Sequence, residues 1–197
     1  MKKIIILGLF LLAGCTAKEA QKAETSASAE IVPYINKNYS ESDSVAKIDF
    51  VQLTQVAIKN LSSMQVGYNP EATEVKFLPS DVSSDVKFVP STDWQSVKIL
   101  RNKDSEIWKS FIVEVFEING YEQSKTTSFK ICKDIWKDID NRVPTVIDEL
   151  STRINEYEKA GSTPATQHIQ YGYFFDLDAS HYKDGYPIVC TIAYAKK

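Results

Sequence analysis

The chain of 197 residues is 43% hydrophobic and 25% charged, the make-up of a folded globular protein and not of a disordered one. Its 23 Lys+Arg against 26 Asp+Glu leave a formal charge of −3, the wrong sign for a nucleic-acid partner, which is held through clustered cations. Two histidines in all exclude a histidine-rich metal centre, and no Gly-x-Ser-x-Gly elbow, His-Glu-x-x-His helix, Cys-x-x-Cys pair or glycine-rich phosphate loop occurs.

Met1-Lys2-Lys3 is followed by the nine-residue apolar run 4–12. A basic start, a short apolar stretch and small residues make a secretory signal, and the run is too short to span a bilayer, which takes about 20 apolar residues. The tetrapeptide Leu12-Ala13-Gly14-Cys15 resembles the lipobox of bacterial lipoproteins. That resemblance covers residues 1–15 alone. It implies a diacylglyceryl group on the Cys15 thiol, cleavage before Cys15 and acylation of the new amine. A plain secretory signal with a chance cysteine is the alternative. The expected organisation is a cleaved signal over 1–14, a lipidated tether over 15–30 and one globular domain over 31–197. Loss of Lys2 and Lys3 leaves 21 basic against 26 acidic residues, a formal −5. An acidic domain gains nothing from anionic lipid, so acyl chains on Cys15 must supply the bilayer attachment, at about 0.8 kcal/mol per buried CH₂. Thr16 in place of aspartate, by the same resemblance, points to the outer membrane if the host has one. The expected location is therefore the cell envelope, on the periplasmic face of the outer membrane if the host is diderm.

Residues 16–30 carry no large apolar side chain and read as a solvated tether. Residues 31–41, with Pro33 and two tyrosines, read as an arm or a short edge strand. From Ser44, an apolar stripe at Val45, Ile48, Phe50, Leu53, Ala57, Ile58 and Leu61 predicts a packing helix over 44–61, capped by Ser42 or Ser44. Val75-Lys76-Phe77-Leu78-Pro79-Ser80 then recurs as Val86-Lys87-Phe88-Val89-Pro90-Ser91. The two copies read as an edge hairpin blunted by prolines and lysines; an exposed edge that augments a partner strand is the alternative. Residues 94–100 form a further expected strand. Residues 108–118 and 121–132 flank Asn119-Gly120, the favoured pair for a two-residue turn, and so read as a long hairpin. That register would set Ile118 against Tyr121 and Glu114 against Lys125. A short turn over 134–141 precedes a helix over 143–160, with Pro144 in its first turn and Gly161 beyond its end. Alternation from His168 to Leu177 predicts a half-buried strand, and Asp184-Gly185 turns the chain into a final strand over 186–194.

Together these elements define an α+β fold, an antiparallel sheet of five to seven strands with two main helices on one face. Cys132 and Cys190 remain after Cys15 is acylated, an even pair in an exported chain and thus a disulfide candidate; two buried free thiols are the alternative. Asp176, Asp178, His181 and Asp184 offer oxygen and imidazole ligands for a hard cation such as Ca²⁺. They resemble an EF-hand loop only at Asp176 and Asp178, since His181 stands where that loop needs glycine, and a solvated hairpin loop is the simpler reading. Tyr171, Tyr173, Tyr182 and Tyr186 are candidates for a ligand or partner surface, though tyrosines also suit ordinary sheet packing. Neither cysteine sits where a thiolate would be activated, so no catalytic residues and no cofactor are expected. The chain reads as a non-catalytic binding lipoprotein with a protein partner. A small-molecule or lipid carrier is the second reading, and an enzyme the third.

Overall fold

A computed structural model describes residues 48–67, 73–103 and 105–195. Seven strands and three helices alternate as α1 (Phe50–Asn60), β1 (Met64–Gly67), β2 (Glu74–Pro79), β3 (Trp94–Arg101), β4 (Trp108–Phe116), α2 (Tyr121–Trp136), α3 (Val143–Lys159), β5 (Ala165–Gln170), β6 (Tyr173–Asp178) and β7 (Ile188–Tyr194). The strands form one antiparallel sheet in the order β1-β2-β3-β4-β7-β6-β5, an α+β architecture. α1 packs on β3, α2 on β4 and β7, and α3 on β5 and β6, so all three helices share one face. Alternation fixes which side chains meet them. Val97, Ile99, Phe111, Val113, Ile188, Cys190, Ile192, Tyr173, Phe175 and Leu177 point into this layer and are buried. At its centre Trp136 packs edge-on against Trp108, with ring centroids 5.0 Å apart, and against Phe111 at 6.0 Å. The disulfide Cys132–Cys190 ties α2 to β7, with Cα atoms 6.6 Å apart. No helix among the described residues is long and apolar enough to cross a membrane.

Five expectations are corrected. The hairpin over 108–132 does not form, because residues 121–136 are helical. Their buried positions, Ser124, Lys125, Ser128, Phe129, Cys132, Ile135 and Trp136, follow the helical period, but serine and lysine hold three of them and hide the stripe from an apolar count. Asn119 adopts φ 60° and turns the strand into a helix, with the Ser124 hydroxyl accepting from the Glu117 N–H at 2.9 Å. Glu114 accordingly pairs with Lys98, and Lys125 with Glu158. The turn expected over 134–141 begins inside α2.

The repeat does not pair with itself either. Its first copy is β2, bonded to β1 and β3, whereas the second is loop, with Val86 and Phe88 turned onto a small cluster of Leu78, Trp94 and Phe116. The run 168–177 is two strands, joined by Tyr171 (φ 54°) and Gly172 (φ 79°), a two-residue turn whose twist matches its strands. The first helix starts at Phe50, where the Asp49 carboxylate accepts from the Val51 and Gln52 N–H groups. Ser42, Ser44, the arm over 31–41, the tether and Cys15 lie outside the described residues.

Candidate binding groove

The second face of the sheet carries no α-helix among the described residues. Its side chains form rows across the strands: Lys76, Lys98, Ile112, Thr191 and Asp176 in one, and Ser96, Glu114, Val189 and Asp178 in the next. Over one end of this face lie two loops, residues 80–93 and 179–187. They enclose a groove of about 790 Å³, walled by Lys76, Trp94, Lys98, Glu114, Val189 and Asp178, with Val86, Phe88, His181 and Tyr186 on the loops.

The groove is held open by specific contacts. The Lys76 ammonium donates to the Val86 carbonyl at 3.1 Å and lies 5.2 Å from the Trp94 ring centroid. Gln65 Nε2 donates to the Pro79 and Val82 carbonyls. Phe88 bridges Trp94 and Tyr186, 5.8 Å from each. The two loops cross at Ser91 and Gly185, where the Ser91 N–H donates to the Gly185 carbonyl at 2.9 Å. Both residues lie in the left-handed region, at φ 62° and 84°, an uncommon backbone for a serine. Strained backbone of this kind clusters at ligand clamps and active sites.

Glu114 anchors the groove floor. Its Oε2 accepts from Trp94 Nε1 at 3.1 Å and Ser96 Oγ at 2.7 Å, and its Oε1 from the Lys98 ammonium at 2.8 Å. Burial would raise this carboxyl, but the three hydrogen bonds and the Lys98 charge together hold it below the usual carboxylate range. Lys76 stands directly opposite Lys98, a like-charge pair that is unfavourable on its own. Glu114 neutralises Lys98, whereas Lys76 has no carboxylate within ion-pair distance among the described residues.

Across the groove, Asp178 Oδ1 accepts from the Ser180 N–H and hydroxyl, with no cation in ion-pair distance among the described residues. Its neighbour Asp176 is raised chiefly by burial, opposed by a Gln167 hydrogen bond and reinforced by the Asp178 charge. Asp184 instead faces the His181 ring at 3.4 Å, both of them exposed. Among the described residues no group of three or more His, Cys, Asp or Glu is arranged to hold a metal ion, so the four residues proposed for Ca²⁺ are not gathered on one point.

The tyrosines part company. Tyr186 is 48% exposed on the groove rim. Tyr173 is buried beneath the helices, with its hydroxyl on Asp140 Oδ2 at 3.1 Å. The Tyr171 ring is covered by the Arg142 guanidinium at 4.3 Å. The Tyr182 hydroxyl donates to the Glu117 carbonyl and accepts from the Gly120 N–H, pinning the start of α2. Lys76, Trp94, Lys98 and Glu114 are brought together by strand register and Phe88 by the loop above them, a meeting that no contiguous motif announces. The chain finds no match among protein families, curated proteins or solved structures.

Proposed function

We propose that the chain is a membrane-anchored lipoprotein of the cell envelope, held through acylated Cys15, whose domain over 31–197 is a non-catalytic binding module for a protein partner. In a diderm host it belongs on the periplasmic face of the outer membrane. The anchor is supported by the motif at residues 1–15. The binding role is supported by one observation above all, the groove on the sheet face opposite the three α-helices, whose walls are fixed by the Ser91–Gly185 crossing. The state of Glu114 favours binding over proton transfer. A catalytic acid or base is tuned toward the working pH, whereas this carboxyl is held down and occupied by three donors.

Two measurements test the reading. A Cys15→Ala variant is expected in the soluble envelope fraction, and unchanged membrane retention overturns the anchor. A photo-crosslinking side chain at Tyr186, on the rim, is expected to capture one stoichiometric protein in cells, and one at Tyr157 on α3 is not. Equal capture at the two positions overturns the assignment of the groove. The volume of the groove, about 790 Å³, lies in the range of small-ligand sites and supports a second reading, a carrier or sensor of a small molecule or lipid. Thermal stabilisation of the purified domain by a metabolite or lipid extract distinguishes it.

A further inference from the structure

The charges of the groove are unevenly spread. Its more cationic end lies on β2 and the loop above it, where Lys76, with no carboxylate in ion-pair distance among the described residues, and Lys87, exposed on the rim, outnumber the exposed Glu74. Its anionic end lies on β6 at Asp178. Between them Trp94 on β3 and Tyr186 just before β7 are bridged by Phe88, an aromatic roof over the mid-sheet Val189. β2 and β6 are four steps apart in the strand order, roughly 19 Å at about 4.8 Å per step. An extended polypeptide advances about 3.3 Å per residue, so two charged residues about five positions apart span that distance once their side chains reach inward.

We propose that the groove receives an extended segment of the protein partner that carries an acidic residue over Lys76, a basic residue over Asp178 and an apolar side chain under Phe88, Trp94 and Tyr186. This rests on the protein-partner reading above and names the chemistry of the segment. The segment crosses the strands instead of adding one to an edge. Its charge pattern complements a domain whose overall acidity would otherwise repel an acidic partner.

The test is fluorescence anisotropy of the purified domain with labelled peptides that share a central leucine and differ in the two flanking charges: Glu/Lys, Glu/Glu and Lys/Lys. The wild type is expected to favour Glu/Lys about fivefold over either like-charged peptide, the scale of one half-exposed ion pair, and to lose that preference at about 1 M salt. Lys76→Glu should turn the preference to Lys/Lys, and Asp178→Lys to Glu/Glu. Lys76→Met, which costs less to fold, should erase only the preference for Glu/Lys over Lys/Lys, and Asp178→Asn only that over Glu/Glu, neither inverting it. Equal affinity for the three peptides, or a preference indifferent to these variants, overturns the proposal. If crosslinking from Tyr186 persists in that case, the protein-partner reading survives its failure; if it too is lost, both fall. Doubling of the domain's mass by sedimentation through this face, with no peptide bound, also overturns the proposal.

Discussion

Replacing Gly185 by alanine tests whether the two loops are locked together. The residue is buried at φ 84°, and an added Cβ would stand 2.3 Å from Ser91 Oγ and 2.8 Å from the Ser91 backbone nitrogen. The hydroxyl can rotate away; the nitrogen cannot. Gly161 is the natural control, since its φ is 69° and nothing lies within 4 Å of the Cβ site. Both substitutions incur the left-handed penalty of about 1–2 kcal/mol. Only Gly185→Ala must also push Ser91 aside, losing its hydrogen bond at about 1 kcal/mol and overpacking the crossing by about 1 kcal/mol or more. The totals are about 1–2 kcal/mol for Gly161→Ala and about 3–4 kcal/mol for Gly185→Ala. At about 2–4 °C per kcal/mol for a domain of this size, Tm should fall by about 4 °C and about 10 °C respectively. Thermal unfolding followed by circular dichroism reads both, and acrylamide quenching should show a more accessible Trp94 in Gly185→Ala alone. Equal Tm shifts, with unchanged quenching, would refute the reasoning.

Glu114→Gln should cost about 1–2 kcal/mol at neutral pH by urea unfolding, as a charge-assisted bond to Lys98 is lost. Because the folded carboxyl sits below its ordinary range, its contribution is present above that range and drains as pH falls through the folded value. The gap between wild type and variant should therefore narrow as pH falls below the ordinary carboxylate range. Reduction of Cys132–Cys190, which closes a separation of 58 residues, should destabilise by about 4 kcal/mol on the chain-entropy account. A mass difference after alkylation of the unfolded protein with and without reductant reports the bond itself. Lys125 is buried between α2 and α3, bonded to Glu158 at 2.9 Å and Asn155 at 3.0 Å. Lys125→Ala should lose about 2–3 kcal/mol by leaving Glu158 unpaired, and Glu158→Gln in that background should recover part of it.

The sheet, the helix over 143–159 and the return of the last strand were readable because their signals are local: period two, period 3.6, a proline in a first turn, Asp184-Gly185. Residues 121–136 were not. Tyr, Thr, Phe, Ile and Cys are strand formers by preference, and Asn119-Gly120 serves a strand-to-helix turn as readily as a hairpin. Burial against β4 and β7 decided the matter, and tertiary packing routinely overrides such preferences. The break at Tyr171-Gly172 was masked by an alternation of residue types that the fold does not follow: the two-residue turn reverses parity, so Ile169 pairs with Phe174 and is exposed while Tyr173, Phe175 and Leu177 are buried. The groove was the least readable feature. Asp178, His181 and Tyr186 were recognised as candidates, but for a cation loop or an aromatic surface. Their meeting with Lys76, Trp94 and Glu114 depends on the register of five strands.

The place of β7 bears on how the domain is made. It follows every other strand in the described chain, yet it sits between β4 and β6 and bonds to both. Until it arrives, β1 to β4 and the β5–β6 hairpin are two separate half-sheets, each presenting an open apolar edge. A chain synthesised from its amino end must therefore carry both halves unjoined until the final strand emerges. Assembly is necessarily late and non-local, of the kind that proceeds slowly and leaves unpaired strand edges open to aggregation. Joining of Cys132 to Cys190 then secures the inserted strand to the helix already waiting above it.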